Sequence, residues 1–163
     1  MVRPWYWPKG GQPHRTEEFT WIVKDVLAVS WWPDPPVFDR YRKEGVSIII
    51  NCSEFDYQHN VPTGFKYYHI SVPDYGLPSE EQIDKFLKIT KTHTGQNEAI
   101  VIHCVAGCGR SGQFVIAWAA YNRYLLKGTD PVKWIRSIRP CSLETEEQMI
   151  FARKMAKKYG MNR

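Results

Sequence analysis

Two short apolar runs punctuate the chain: Val46–Asn51 (VSIIIN) and Ala99–Ile102 (AIVI). Neither alternates with polar residues, and each has the length of a strand buried on both faces. Phe19–Val23 and Val26–Ser30, separated by Lys24-Asp25, read as two short strands or a hairpin, and Lys66–Val72 as a further strand. Helix signals lie between them. Asp34 before Pro35-Pro36 predicts a helix start and Gly45 its stop, while residues 55–64 read as loop. Ser79 and Gln82 form a capping-box pair opening a helix to about His93. Gln113–Leu126 is helix-compatible, stopping near Gly128, and Asp130-Pro131 begins another helix that ends before Pro140. Thr145 and Gln148 make a second capping box for a last helix to Gly160. Strands alternating with helices predict an α/β fold: a central, mostly parallel sheet of about four or five strands flanked by helices, with ligands at the strands' C-terminal ends.

Composition bounds this picture. The 163 residues, 43% hydrophobic, are enough for one core, so residues 19–163 are expected to form a single domain. Residues 1–18 hold three prolines, two glycines and the cluster Trp5-Tyr6-Trp7, and read as an irregular extension. It either packs on the domain or serves as a docking arm. The longest apolar run, Phe114–Tyr121, is far short of a membrane span, and no signal-peptide pattern opens the chain. Four cysteines without a CxxC pair argue against a zinc site or a disulfide scaffold, and so for the cytoplasm. A net charge of +5 favours anionic partners. The basic last helix, with Arg153, Lys154, Lys157 and Lys158, reads as a solvated face and not as a nucleic-acid surface. A monomer is expected.

The chemistry concentrates in Ala99–Gly112 (AIVIHCVAGCGRSG). Here a buried strand meets His103 and Cys104, turns through Gly107 and Gly109, and delivers Arg110 and Ser111 to a helix start. The loop Val105-Ala106-Gly107-Cys108-Gly109 can curl its amides into an anion nest at the positive end of the helix dipole. The same field favours a thiolate at Cys104. Arg110 can grip two phosphate oxygens at once, and Ser111 can donate a hydrogen bond to the sulfur. His103 is placed to fix the loop by hydrogen bonds. Gly107–Gly112 also matches GxGxxG. A dinucleotide site, however, wants an acidic residue about 20 positions on at a second strand's end, and Asp130 is followed by Pro131 and a helix pattern.

Cys104-Val-Ala-Gly-Cys-Gly-Arg110-Ser111-Gly112 resembles the phosphate loop of the cysteine-dependent protein phosphatases, HCxxGxGR[ST]G. Val72-Pro-Asp-Tyr-Gly-Leu-Pro78 resembles the general-acid loop of atypical dual-specificity phosphatases, which implies that Asp74 is the acid. Arg139-Pro-Cys-Ser-Leu-Glu-Thr-Glu-Glu-Gln148 is similar to the segment that orients water in that branch and its compact archaeal members. This implies roles for Glu144, Thr145 and Gln148 beside their local role in a helix cap. Glu54 resembles a glutamate that supports the arginine or the acid loop. The resemblance covers most of residues 19–160; Cys108 departs from the apolar residue more usual at its position.

The resemblance implies hydrolysis of phosphotyrosine, with phosphoserine and phosphothreonine left open, through a cysteinyl-phosphate and without metal or cofactor. Phosphorylated proteins are the expected partners. Two alternatives remain open: a phosphatase for phosphoinositides, nucleotides or RNA 5′ ends, and a phosphoprotein-binding module. Cys52, ending a strand beside Cys104, is similar to a cysteine of tensin-type phosphatases. It is a candidate redox partner for Cys104, with a Cys104–Cys108 bridge or simple packing of Cys52 as the alternatives.

Overall fold

The computed structural model describes residues 17–160. The extension expected over residues 1–18 therefore lies almost wholly outside the described residues.

Five strands form one sheet: β1 (Phe19–Val23), β2 (Leu27–Ser30), β3 (Val46–Asn51), β4 (Lys66–His69) and β5 (Ala99–His103). Their order is β1-β2-β5-β3-β4. The β1–β2 hairpin is antiparallel, turning at Asp25 with φ +64°, and every other pairing is parallel. The expected α/β architecture is thus present. The central strand β5 pairs with β2 on one side and β3 on the other, so its backbone groups are satisfied from both flanks.

Alternate strand residues face opposite layers. Ala28, Ile49 and Val101 pack under α1 (Pro35–Glu44) with Val37, Phe38 and Tyr41. Leu27, Val29, Ile48, Ile50, Ile100 and Ile102 face the other helices: α2 (Glu80–Gly95), α3 (Gly109–Tyr121), α4 (Pro131–Ile138) and α5 (Glu146–Gly160). Helix α3 is buried from Gly109 to Ala120, since it runs between the sheet and α5. A helix apolar on all sides is stable only when so enclosed.

The helix starts follow their local chemistry. The Ser79–Gln82 capping box is complete, and Asp130 caps α4 by accepting from Lys133 N at 3.3 Å. Three boundaries differ from the expectations by more than two residues. Helix α3 begins at Gly109, four residues early, with Arg110 and Ser111 in its first turn. It stops at Tyr121, where Asn122 Nδ2 donates to Trp118 O at 2.9 Å and Arg123 turns left-handed at φ +66°. Strand β4 ends at His69, ahead of Pro73, although Ile70 N and Val72 N still reach Asn51 O and Cys52 O. A short 3₁₀ turn, Gln58–Asn60, lies inside the expected loop.

Candidate active site

Strand β5 runs into the site: its last residue is His103, and Cys104 follows, buried, at the sheet's C-terminal edge. The loop from Cys104 to Arg110 is anchored from behind through four successive carbonyls. Trp32 N donates to Val105 O at 2.8 Å, and Arg139 donates to Ala106 O (3.3 Å) and to Gly107 O (2.7 Å). Leu143 N donates to Cys108 O at 3.1 Å. Among the described residues, the N–H groups of Val105 to Cys108 donate to no backbone carbonyl. Carbonyls tied outward and amides left unused are the makings of an anion nest.

Gly107 is irreplaceable on two grounds: its φ is +73°, and a Cβ there would stand 2.2 Å from Ser30 O. Arg139 is fully buried and also donates to Thr20 Oγ1 at 2.7 Å, so one guanidinium ties β1 to the loop.

The Cys104 thiol is held well below its ordinary range. A hydrogen bond from Cys52 is the largest cause, and Arg110 and the Ser111 amide and hydroxyl act in the same direction against the opposing effect of burial. Ser111 Oγ lies 3.7 Å from the sulfur. Burial, with the hydrogen bond to Cys104, pushes the Cys52 thiol up instead. One sulfur is thereby the anion and its neighbour the donor.

Arg110 is buried on α3's first turn. Its Nη1 donates to Glu54 Oε1 (3.0 Å) and Val72 O (3.1 Å), and its Nη2 lies 3.4 Å from Asp74 Oδ1. Its Nε is buried with no protein partner among the described residues. Glu54 Oε2 accepts from Asp74 N at 3.4 Å, so one glutamate orients both the arginine and the acid loop. Asp74 lies on that loop, after β4, where its Oδ1 accepts from Tyr75 N at 3.0 Å. Gly76 O accepts from Gln113 Nε2 (3.1 Å) and Gln148 Nε2 (3.3 Å), tethering the acid loop to α3 and α5.

His103 is buried and hydrogen-bonded through both ring nitrogens. Its Nδ1 lies 2.9 Å from Cys104 O, which can only accept, so Nδ1 carries the proton and Nε2 accepts from Tyr57 OH at 2.6 Å. Burial pulls its pKa down to about 4, so the ring stays neutral. Gln148 Oε1 accepts from Glu144 N (2.8 Å) and Thr145 N (3.3 Å), and Gln148 N donates to Thr145 Oγ1 (3.0 Å). The expected cap therefore exists, and the same glutamine reaches the acid loop. Glu144 lies against the phosphate loop: a Cβ on Gly109 would stand 2.2 Å from its Oε1. Burial, with the negative charges of Cys104 and Asp74, pushes its carboxyl up to about 7.

The cysteine reading needs correction. Cys108 is bonded to Cys141 in a disulfide 33 residues apart in sequence, while Cys52 and Cys104 are free. The Cys104–Cys108 alternative is therefore overturned, because Leu143 N on Cys108 O brings the 139–143 segment, and Cys141 with it, against Cys108. The presence of a bridge also removes the cysteine argument for a reducing compartment. Sequence reasoning missed Arg139 as the loop's anchor and Gln113 as a tether. A buried arginine and a helix glutamine have no local signature, although Arg139 opens a segment already marked by resemblance.

The comparisons bear on the family and the fold. A family model described as "Polymorphic toxin system, DSP-PTPase phosphatase" matches residues 33–123, more than half of the chain. The uncharacterized protein MJECL20 of Methanocaldococcus jannaschii is 30% identical over 108 residues, 66% of this chain and 68% of the relative. The dual specificity protein phosphatase CDC14A of Mus musculus is 27% identical over 155 residues, 85% of this chain but only 25% of that protein's length. Among solved structures, Tk-PTP in its active form superimposes with a TM-score of 0.71 at 24% identity, covering 90% of this chain and 98% of that one. PTPMT1 in complex with PI(5)P gives 0.72 at 16% identity, covering 90% and 99%. The chain belongs to the cysteine-dependent dual-specificity phosphatase family.

Proposed function

We propose that the chain hydrolyses phosphotyrosine on protein substrates through a cysteinyl-phosphate intermediate. The observation that supports this most is that one guanidinium, Arg110, acts on both groups: its charge lowers the Cys104 thiol, and its Nη2 lies 3.4 Å from Asp74 Oδ1. The thiolate of Cys104 attacks phosphorus as the ester P–O bond breaks, and the leaving phenolate takes its proton from Asp74. A water then attacks the phosphocysteine, giving its proton back to Asp74, and the P–S bond breaks to return the thiolate and release phosphate. Arg110 and the amides of Val105 to Cys108 neutralise the equatorial oxygens in both steps. The unpartnered Arg110 Nε is a donor that the fold does not use. Ser111 holds the sulfur as leaving group, and Gln148 holds the acid loop over the phosphate through Gly76.

The phosphoinositide alternative has less support, because the loop positions Val105, Ala106 and Cys108 bring no cation to a polyanionic headgroup. Among the described residues no helix is long and apolar enough to cross a membrane.

The test is turnover of a phosphotyrosyl peptide, inhibited by vanadate, in the wild-type chain and in Cys104→Ser. The reading expects turnover to vanish in the variant while phosphate still binds. A Cys104→Ser protein that continues to hydrolyse the peptide overturns it.

A further inference from the structure

We propose that Glu144 belongs to the anion site itself and enters it as a neutral acid, so that a doubly charged oxyanion and a proton bind together. This rests on the phosphatase reading and deepens it by naming a group that meets the phosphate besides Arg110 and the loop amides.

The backbone of Glu144 is fixed on both sides. The residue before it, Leu143, donates its N–H to Cys108 O of the phosphate loop at 3.1 Å, and the N–H of Glu144 is held by Gln148 Oε1 at 2.8 Å. Its side chain reaches the end of that loop. Gly109 has no side chain, and the space that a Cβ would fill lies 2.2 Å from Glu144 Oε1 and 2.7 Å from Gln148 Oε1. The carboxyl therefore lies against bare backbone where the loop becomes α3, one residue before Arg110. From there it interacts electrostatically with Cys104 and Arg110, and with Asp74 and Tyr75 of the acid loop.

This carboxyl has no cation of its own. Among the described residues it forms no salt bridge, and Arg110 is already engaged by Glu54 at 3.0 Å and Asp74 at 3.4 Å. Cys104, Glu54, Asp74 and Glu144 thus surround one guanidinium before any substrate arrives, and a dianion adds two negative charges. A carboxyl partly out of water, with no counter-ion, relieves such repulsion by taking a proton. Its acidity agrees: burial first, then Cys104 and Asp74, hold it up at about 7, while Arg110 and the Gly109 amide pull the other way. Once neutral, it ceases to repel the anion and becomes an O–H donor to it, a strong kind of hydrogen bond. By linkage, proton and anion each tighten the binding of the other.

The experiment is the binding of sulfate, a dianion at any pH near neutrality, to the full chain carrying Cys104→Ser, which removes the thiolate as a proton acceptor. Two other neighbours do not titrate in this range: burial keeps His103 a neutral ring, at about 4, and keeps the Cys52 thiol protonated. With the Glu144 carboxyl at about 7, the dissociation constant should rise about tenfold between about pH 6 and about pH 8. Adding Glu144→Gln, which keeps the shape and removes the charge, should hold it within about twofold at both ends. At the upper end that variant should bind about tenfold more tightly than its parent. Calorimetry in two buffers of different ionisation enthalpy should find close to one proton taken up per sulfate at about pH 8, and none with Glu144→Gln. A sulfate affinity that ignores pH, or proton uptake that is equal with and without the carboxyl, overturns the proposal. So does a pH dependence that survives Glu144→Gln and disappears in Asp74→Asn. Failure of sulfate to bind at any pH sinks the cup, and this proposal with it. Sulfate binding with the Glu144 dependence, in a wild-type chain that turns over no phosphopeptide, supports the proposal and fells the catalytic reading alone.

Discussion

The two loops that meet at Arg110 are built to opposite standards. The phosphate loop is tied by four carbonyl anchors, a buried arginine and a disulfide, and it runs directly into a buried helix. The acid loop is held by side-chain contacts at Gly76, Glu54 and Arg110, and its residues Tyr75 and Leu77 face water. An oxyanion cup must exist before the substrate arrives, since reorganising it during reaction would forfeit its electrostatic gain. A proton donor must instead approach and withdraw, so it belongs on a segment with few buried contacts. Backbone anchoring and side-chain tethering are thus divided between two segments about thirty residues apart.

The largest expected effect tests the rigid side. Gly107→Ala drives a Cβ into Ser30 O and forbids the left-handed turn, so phosphatase activity should fall at least a hundredfold, as when oxyanion donors are lost. Its phosphate affinity, by calorimetry, should fall with it; a variant that retains both shows that the cup tolerates distortion. Next comes Asp74→Asn, which should cut kcat by about 10²–10⁴ for alkyl or poor phenol leaving groups and much less for p-nitrophenyl phosphate. Equal losses on good and poor leaving groups would remove Asp74 as acid. Gln113→Ala with Gln148→Ala frees Gly76 O from both tethers, and kcat should drop about tenfold with phosphate affinity unchanged. If phosphate affinity fell as well, the two loops would not be independent.

The smallest effect is on stability. Glu144 has a folded pKa of about 7 against an ordinary 4.5, so the folded state holds a proton that the unfolded chain releases. The stabilisation is complete below about pH 4.5 and disappears as pH rises through about 7. Glu144→Gln should flatten the decline in denaturant midpoint between pH 5 and 8, by on the order of 1 kcal/mol after allowance for solvent. An unchanged slope would place that carboxyl in water, away from the phosphate loop.

What could be read from the chain alone divides the same way. The VSIIIN and AIVI runs, the caps at Ser79 and Asp130, and the spacing from Cys104 to Arg110 are local patterns, and each stands where the sequence places it. The convergence of Glu54 and Asp74 on Arg110 was legible only through resemblance, since the residues are far apart in sequence. Arg139 and the Cys108–Cys141 pair were not legible, because nothing local distinguishes a buried arginine or picks one pairing among four cysteines.

The link between Cys108 and Cys141 carries a practical consequence for anyone handling this molecule. Dithiol reagents added to keep Cys104 reduced act by exchange, and in sufficient excess the same exchange opens a bridge. Preparations stored in excess reductant and preparations stored in air should therefore be two different proteins, one with a slack cradle and one with a blunted nucleophile. A graded titration with reductant, followed by mass and rate together, should find the best catalyst between those extremes.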